Sequence, residues 1–176
     1  MGTVKALAAA IRPLDKQKIE AASRHVDGLI KPTNSLGRLE SLAIQLAGMW
    51  GIDRLDNLQK EIIVMCADHG VFDEGVAVTP KVVTRLQAVN MQKGLTGVCV
   101  LARTSQTSVL PVDIGIDGEP VDNMLSLKLS RGCGNIAQGP AMSGQDAEHL
   151  LLASASLVKK RAQEGISVFG VGELGI

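Results

Sequence analysis

The stretch Ile62-Ile63-Val64-Met65-Cys66-Ala67, followed by Asp68-His69-Gly70, decides the fold class of this chain. An uninterrupted apolar run of this length is typical of a β-strand that is buried on both faces, as strands are in a parallel sheet covered by helices. The polar and glycine residues behind it indicate where that strand ends. The run therefore favours an α/β fold.

Helices and strands alternate along the chain after this run. Thr79-Pro80 is a favourable helix start, because Thr is a good N-cap and Pro at the first helical position loses no needed donor. The clearest helix pattern covers residues 143–163, where Ser143 and Asp146 resemble a capping box. The other predicted elements are a helix from residue 79 past Gly94 to residue 102, and strands at 108–114, 125–129 and 166–169. This alternation implies a mostly parallel sheet with right-handed crossovers.

The first 58 residues have a different pattern. Two amphipathic helices are predicted at residues 14–30 and 35–49, separated by Lys31-Pro32-Thr33-Asn34. We therefore expect an amino-terminal helical segment over residues 1–58 and an α/β domain over residues 59–176.

Composition and charge exclude several classes of protein. The chain has 176 residues, enough for about one domain, and its 18 basic and 18 acidic residues give a net charge of +0. A balanced charge does not attract nucleic acid or an anionic membrane, and 45% hydrophobic residues argue against disorder. The shortage of aromatic side chains, which are Trp50, Phe72 and Phe169, also argues against binding of single-stranded nucleic acid. No apolar run approaches the length of a transmembrane helix.

The three cysteines, Cys66, Cys99 and Cys133, are odd in number and never form a C-x-x-C pair. That pattern is typical of reduced thiols in a cytosolic protein rather than of disulfides or a zinc site. The sequence has no apolar region of signal-peptide length before Arg12. We therefore expect a cytoplasmic protein that holds no metal.

Polar and glycine residues follow each of the three main predicted strands. Parallel strands present their carboxyl ends at one edge of a sheet, which is where ligands bind in open α/β folds. We therefore expect a small-molecule pocket that brings together Asp68, Asp113 and a glycine turn bearing Glu173. In the structural alternative, both aspartates cap turns, and glycines such as Gly70 and Gly115 supply unusual backbone angles.

The last of these predicted turns, Gly170-Val171-Gly172-Glu173-Leu174-Gly175, matches the pattern G-x-G-x-x-G. A dinucleotide site also needs a following helix and an acidic residue about twenty positions later, and the sequence contains neither. Glu173 would moreover crowd a pyrophosphate with negative charge. We therefore predict a strand-to-helix turn whose backbone N–H groups hold a phosphate beside a carboxylate, and no nicotinamide cofactor.

Two further segments each have two interpretations. The glycine-rich stretch Arg131-Gly132-Cys133-Gly134-Asn135 either approaches a phosphate or ribose, or makes a tight connection before Pro140. Gln87 follows Thr79 by eight residues on the same predicted helix, so the two side chains could face one edge of a ligand. In the structural interpretation, Thr79 only caps that helix and Gln87 is solvated.

Six motifs, in this order, resemble those of the nicotinate-nucleotide–dimethylbenzimidazole phosphoribosyltransferase family, and the resemblance covers essentially the whole chain. They are Lys31-Pro-x-x-Ser-Leu-Gly-Arg-Leu-Glu40, Cys66-Ala-Asp-His-Gly-Val71, Asp73-Glu-Gly-Val-Ala-Val-x-Pro-Lys81, Gly94-x-Thr-Gly-Val-Cys99, Arg131-Gly-Cys-Gly-Asn-Ile136 and Phe169-Gly-Val-Gly-Glu173. Asn34 stands where we expect the family's Gly, and Asn is the next-best residue for a positive φ. Thr79 stands where we expect Ser and keeps the hydroxyl.

The resemblance implies a Rossmann-like sheet flanked by helices, and the transfer of 5-phosphoribose from nicotinate mononucleotide to 5,6-dimethylbenzimidazole. It also implies a homodimer and a reaction that needs no metal or redox cofactor. By the family pattern Glu173 is a carboxylate at the reaction centre. The candidate substrate contacts are Thr79 and Gln87 for the benzimidazole, Leu174 and Gly175 for the phosphate and base, and Asp68 and Asn135 at the same edge.

The family's chain is about twice as long as this one, and its principal catalytic glutamate lies in the second half. The resemblance therefore implies a sheet that is incomplete at the carboxyl terminus and a chain that alone transfers phosphoribose poorly. One alternative is a non-catalytic module that binds a nucleotide or an aromatic base, or dimerises. Another is a metal-dependent hydrolase that uses Asp68, His69 and Asp113, although their spacing fits no zinc pattern.

Overall fold

The computed structural model describes residues 3–51 and 58–176 of the chain. Their contacts divide into two compact units, one over Lys5–Leu58 and the other over Gln59–Ile176 together with the residues up to Val4. None of the helices in these described ranges combines the length and the apolarity needed to cross a membrane.

The first unit is helical. Its elements are α1 (Val4–Ala9), which begins one residue ahead of the unit, α2 (Lys16–Asp27) and α3 (Arg38–Trp50). Asp15 begins α2, because its carboxylate accepts hydrogen bonds from the backbone N–H groups of the first turn. Helices α2 and α3 pack together through small and branched side chains, of which Ala22, Val26 and Ala47 are buried. The predicted pair of helices is confirmed, with ends that differ by up to three residues.

A buried carboxylate holds the connection between α2 and α3. Glu40 is 6% exposed, and its Oε1 accepts from Leu36 N–H at 3.0 Å and from Lys31 Nζ at 2.9 Å. The Lys31 ammonium and the Leu36 N–H hold the pKa of Glu40 below its ordinary value. Asn34 adopts a φ of 60°, which confirms the positive φ expected there. Lys31 and Glu40, the first and last residues of the motif at residues 31–40, are therefore joined by an ion pair that shapes this connection.

The second unit is built on a four-stranded parallel sheet. Its strands are β1 (Gln59–Ala67), β2 (Thr107–Gly115), β3 (Leu125–Ser126) and β4 (Ile166–Leu174), in the spatial order β3-β2-β1-β4. Strand β1 pairs with both β2 and β4 along its whole length, whereas β3 pairs with only two residues of β2. The predicted α/β fold with a parallel sheet is confirmed.

Helices cover both faces of the sheet. They are a 3₁₀ helix (Gly70–Glu74), α4 (Val82–Gln92), α5 (Gly97–Thr104) and α6 (Gly144–Gln163). Val64 and Cys66 of β1 are buried in a cluster with side chains of α4 and α5, whereas Ile63, which precedes Val64 and faces the other side of the sheet, is buried with Leu157 of α6. This alternation explains why residues 62–67 of β1 form an uninterrupted apolar run.

The helix predicted from Thr79 to residue 102 is wrong in two respects. Thr79 is exposed and lies ahead of α4, whose first turn follows Lys81 and has no side-chain cap. Gly94 adopts a φ of 72° after α4 and breaks the pattern into two helices. The strand predicted at 125–129 is also shorter than expected, because only Leu125 and Ser126 join the ladder.

The predicted glycine turn after the last strand is likewise wrong, because β4 continues to Leu174. Gly170 pairs with Ile62, and Gly172 pairs with Val64. A Cβ on Gly170 would lie 3.0 Å from Ile62 Cγ1. The glycine therefore permits close packing within the sheet, and residues 170–174 pair with β1 instead of forming a turn.

Candidate functional site

The strand order reverses between β1 and β4, and the carboxyl ends of these two strands mark the position at which an α/β sheet forms its crevice. From β1 the chain moves outward to β2 and β3 and then returns through α6 to pair β4 with the other side of β1. In doubly wound α/β sheets, ligands bind outside the carboxyl ends of the strands at the point where the strand order reverses. Here that point lies beyond Ala67 and Leu174, which are the last residues of β1 and β4.

The backbones at the two sides of this crevice are in direct contact. A Cβ on Gly175 would lie 2.5 Å from the carbonyl oxygen of Ala67 and 2.7 Å from Nε2 of His69. The backbone N–H of His69 also donates to the carbonyl of Ile176 at 2.8 Å. Position 175 therefore needs glycine, because any side chain there would separate the ends of the two strands.

Asp113 shapes the turn that follows β2. It is 1% exposed, and its Oδ1 accepts from the backbone N–H groups of Gly115 and Ile116 at 3.0 and 2.9 Å. Its other oxygen, Oδ2, lies 3.1 Å from Lys128 Nζ. Oδ1 is therefore held by two backbone hydrogen bonds and Oδ2 by an ion pair without a hydrogen bond among the described residues, and the turn-capping interpretation is confirmed for this residue.

Asp68 is also 1% exposed, but it is only partly satisfied. Its Oδ2 accepts from the backbone N–H of Asp117 at 2.7 Å, which joins the segments that follow β1 and β2. Its Oδ1 has no hydrogen-bond partner among the described residues. A buried carboxylate oxygen without a partner is costly, so it marks a place where a ligand or a water molecule would add stability.

The glycine-rich stretch 131–135 forms a tight connection against the same edge. Gly132 N–H donates to the carbonyl of Gly115 at 3.0 Å, and Cys133 N–H donates to the carbonyl of Asp68 at 3.1 Å. A Cβ on Gly70 would lie 2.5 Å from the backbone nitrogen of Asn135. The stretch therefore continues the hydrogen-bonded edge beyond the strands.

The side chain of Asn135 is engaged within the protein. Its Nδ2 donates to Glu74 Oε1 at 2.7 Å, and its Oδ1 accepts from Ala137 N–H at 3.0 Å. One amide hydrogen and one oxygen lone pair remain for a further contact.

The other predicted site residues lie on both faces of the sheet. Leu174 packs against the hydrophobic cluster that lies under α4 and α5. Gln87 is a half-buried residue of α4, the helix that covers this face of the sheet. Glu173 precedes Leu174 in β4 and therefore points to the opposite face, where its side chain is exposed. Thr79 is exposed ahead of α4.

A cleft of about 380 Å³ lies at the carboxyl edge on the side of α6. His69, Cys133 and Asp146 are among its lining residues, and His69 Nδ1 lies 3.5 Å from Cys133 Sγ. Asp68, Asp113 and Glu173 all lie at the same carboxyl edge, but none of them lines this cleft. Sequence reasoning missed the pairing of His69 with Cys133, because 64 positions separate them and the sequence contains no sign of the contact.

No group of three or more His, Cys, Asp or Glu side chains that could hold a metal ion occurs within residues 3–51 and 58–176. Asp113, moreover, is engaged by Lys128 and by backbone N–H groups. The geometry of the described residues does not favour the metal-dependent hydrolase.

Comparison with known proteins agrees with the geometry. A family model described as phosphoribosyltransferase matches residues 11–176. The chain belongs to this family. Curated relatives named nicotinate-nucleotide–dimethylbenzimidazole phosphoribosyltransferase, from Salmonella agona and Photorhabdus laumondii, are 52% and 53% identical over all of this chain and 50% of their own lengths.

The fold of this chain is also that of a solved relative. The crystal structure of the enzyme of that name from Thermus thermophilus matches with a TM-score of 0.85 and 34% identity, over 93% of this chain and 50% of the other. The chain thus spans about half the length of the curated relatives it matches, and it corresponds to their amino-terminal half.

Four of the six motifs that carry the family resemblance meet around the carboxyl edge of the sheet. They are the motifs at residues 66–71, 73–81, 131–136 and 169–173. Lys81 is the last residue of the motif at residues 73–81, and its Nζ lies 3.8 Å from Asp117 Oδ2 and 4.0 Å from Asp73 Oδ1. The motif at residues 94–99 has a structural role, since Cys99 Sγ donates to the carbonyl of Met91 across the break between α4 and α5.

Proposed function

We propose that this chain contributes to the transfer of 5-phosphoribose from nicotinate mononucleotide to 5,6-dimethylbenzimidazole, giving α-ribazole 5′-phosphate and nicotinate. The observation that carries the proposal is the 52–53% identity, over the whole chain, to enzymes named for this pair of substrates. The crevice between β1 and β4 supports it, because such a crevice is where an α/β sheet of this order binds nucleotides.

We assign the benzimidazole contacts to the hydroxyl of Thr79, which is exposed ahead of α4, and to the amide of Gln87, a half-buried residue of α4. We assign an apolar contact to Leu174, which packs on the α4 side of the sheet, and a contact with the phosphate or base to the backbone of Gly175, where the ends of β1 and β4 meet. The unpartnered Oδ1 of Asp68 supports a role in substrate binding.

Asn135 completes the proposed substrate contacts. Its remaining amide hydrogen and lone pair give it the capacity to bind a hydroxyl while Glu74 holds its orientation.

The chemistry requires little of the protein at the leaving group. The pyridinium nitrogen of nicotinate mononucleotide already carries positive charge, so nicotinate leaves without a general acid. The transition state at ribose C1 resembles an oxocarbenium ion, which a nearby carboxylate stabilises, and the attacking benzimidazole must lose its proton to a base. We propose Glu173 as a carboxylate at this centre. The family resemblance places the principal catalytic glutamate outside this chain.

Binding of the base tests the proposal without requiring turnover. Calorimetric titration of 5,6-dimethylbenzimidazole into the purified chain should show binding, and Thr79→Val with Gln87→Ala should weaken it by about tenfold or more, as expected when polar groups that contact a ligand are lost. Gln145→Ala on the exposed side of α6 is the matched control and should bind like the unaltered chain. Equal affinity in all three proteins would contradict the assignment.

Product formation separates the enzyme from a non-catalytic binding module. We expect the chain alone to form α-ribazole 5′-phosphate slowly, and the rate to rise when the other half of a family member is added. Formation of product at rates typical of the family by this chain alone would show that the catalytic groups lie within it. Binding without product, even with the added half, would favour the binding module.

We further propose that the chain acts in the cytoplasm as a homodimer. The family resemblance and the absence of paired cysteines from the sequence support this proposal. Sedimentation velocity over a range of concentrations tests it, and a single species with the mass of one chain would contradict the dimer.

A further inference from the structure

The cleft beside α6 is not used by the proposed phosphoribosyl transfer. Its volume of about 380 Å³ lies within the range of small-molecule pockets. Much of its wall is aliphatic, formed by residues from the strand ends, the connection before α6 and α6 itself. These are Ala67, Ile114, Leu129, Met142 and Leu150. An apolar molecule of modest size would therefore gain by entering it.

A thiol and an imidazole lie together in the wall of this cleft. Cys133 Sγ is 3.5 Å from His69 Nδ1, and both residues line the cavity. The same sulfur is also 3.5 Å from the carbonyl oxygen of Gly134. Of these two neighbours only the imidazole can remove the thiol proton and so produce the nucleophilic form.

The backbone fixes both partners in this arrangement. Cys133 N–H donates to the carbonyl of Asp68, and Gly134 N–H donates to the carbonyl of Ala141 at 2.7 Å. The backbone N–H of His69 donates to the carbonyl of Ile176, and a Cβ on Gly175 would lie 2.7 Å from Nε2 of the His69 ring. These backbone contacts hold the main chain at both positions, which keeps the exposed imidazole within reach of the sulfur.

The other two cysteines are in different environments. Cys66 is fully buried, Cys99 is 6% exposed, and both thiols donate to backbone carbonyl oxygens. Burial raises the pKa of Cys66 to about 11. Cys133 is partly exposed. The chain therefore contains two internal controls of low reactivity.

We propose that Cys133, with His69 as its proton acceptor, is a modification site that reacts with small disulfides whose apolar body enters the cleft. The carboxylate of Asp146 in the wall disfavours anionic molecules, so the preferred reagent is a neutral aromatic or aliphatic disulfide.

The exchange reaction is balanced within this pair. Nδ1 of His69 takes the thiol proton, and the sulfur of Cys133 attacks one sulfur of the disulfide. The disulfide bond breaks as the mixed disulfide forms, and the departing thiolate receives the proton from the imidazolium. The sulfur of Cys133 is oxidised, and one half of the reagent is reduced to a thiol.

Dithiodipyridine, a neutral aromatic disulfide, tests the proposal on the intact chain, because each exchange releases a coloured thione. We expect one fast equivalent, located at Cys133 by mass spectrometry, and reaction of Cys66 and Cys99 only after unfolding. The fast phase should disappear in Cys133→Ser. It should slow by about tenfold or more in His69→Ala, the loss expected when a general base is removed. His149→Ala, which removes an exposed imidazole of α6, is the control and should react like the unaltered chain.

Two comparisons need no variant and remain decisive if His69→Ala fails to fold. First, the rate of Cys133 divided by the rate of a free cysteine peptide should be higher in the native chain than in guanidinium. Second, this ratio should be higher with dithiodipyridine than with oxidised glutathione. Reaction of native Cys133 at or below its unfolded rate would overturn the proposal. Equal reaction rates of all three cysteines in the native chain would also overturn it. The same holds if His69→Ala and His149→Ala both react at the rate of the unaltered chain.

Discussion

Glu61 places a carboxylate in the interior of the α/β unit, where only 2% of the residue is exposed. Arg161 of α6 reaches it through two nitrogens, with Nε 2.8 Å from Oε1. Ser108 Oγ donates to Oε2 at 3.2 Å. Both carboxylate oxygens are therefore satisfied near the amino end of β1, away from the crevice.

Arg161→Ala would leave the Glu61 carboxylate buried without its cationic partner. We expect the free energy of unfolding to fall by about 3 kcal/mol, the typical loss when one member of a buried ion pair is removed. Urea denaturation measures this, and Lys160→Ala, which removes an exposed cation from the same turn of α6, should change stability by about 0.5 kcal/mol or less. Similar losses in the two variants would contradict a special role for the pair.

Acid should weaken the fold through the same carboxylate. The hydrogen bonds from Arg161 hold the pKa of Glu61 below its ordinary value of 4.5, so the unfolded chain takes up this proton at a higher pH than the folded chain. The stabilisation is present above the unfolded-state pKa and is lost as the pH falls through the folded-state pKa. Melting temperatures measured across this range should fall less steeply for Glu61→Gln than for Glu20→Gln, an exposed control. Parallel slopes would argue against the linkage.

At the scale of single elements, helices differ in whether a side chain caps their first turn. Ser143 caps α6, because its Oγ accepts from Asp146 N–H at 3.0 Å, which confirms the predicted cap; the same Oγ donates to Asp146 Oδ2 at 2.7 Å. Thr79 was predicted to cap a helix but stands ahead of α4 without doing so. The sequence signals are similar, and only the path of the backbone distinguishes them.

This difference predicts opposite outcomes for two substitutions. Ser143→Ala should lower the free energy of unfolding by about 1 kcal/mol, because a donor at the start of α6 loses its acceptor. Thr79→Ala should leave stability unchanged to within about 0.5 kcal/mol. Chemical denaturation of the two variants side by side is the measurement, and an equal loss in both would show that Thr79 caps in solution.

A glycine sets the distance between two further elements. A Cβ on Gly70 would lie 2.5 to 2.8 Å from backbone atoms of residues 133–135, so the 3₁₀ helix and the glycine-rich stretch would have to separate. We expect Gly70→Ala to cost about 2 kcal/mol in unfolding free energy, the usual cost of overpacking, and to weaken substrate binding. Gly139→Ala has open space around it and should be tolerated. Normal stability in the Gly70 variant would contradict this packing.

At the scale of the whole molecule, the protection of each strand should follow its place in the sheet. Strand β1 has a partner on both sides along its length, whereas β4 is paired on one side and β3 at only two positions. Native-state hydrogen exchange should therefore be slowest for amides of β1 and fastest among the strands for β3. Faster exchange in β1 than in β4 would be inconsistent with the strand order.

Much of the fold was predictable because burial leaves a direct pattern in the residues. The apolar run of β1 predicted a strand covered on both faces, and the stripe and capping box of α6 predicted its full length. The glycines of β4 misled the prediction, because a glycine that permits a turn and a glycine that permits close packing look the same in a sequence. The distance between Gly170 and Ile62 depends on the neighbouring strand, which the local pattern does not contain.

The sequence by itself determined the fold class, the family and the placing of Asp68, Asp113 and Glu173 near strand ends, since each depends on local periodicity or on residue identity. Tertiary structure decided what those residues do. It gave Asp113 two backbone donors and an ion pair with Lys128, left one oxygen of Asp68 without a hydrogen-bond partner among residues 3–51 and 58–176, and turned Glu173 to the face opposite Leu174. It also brought His69 within 3.5 Å of Cys133. The physical reason is that contacts across long separations arise from strand order and register, which no single segment encodes.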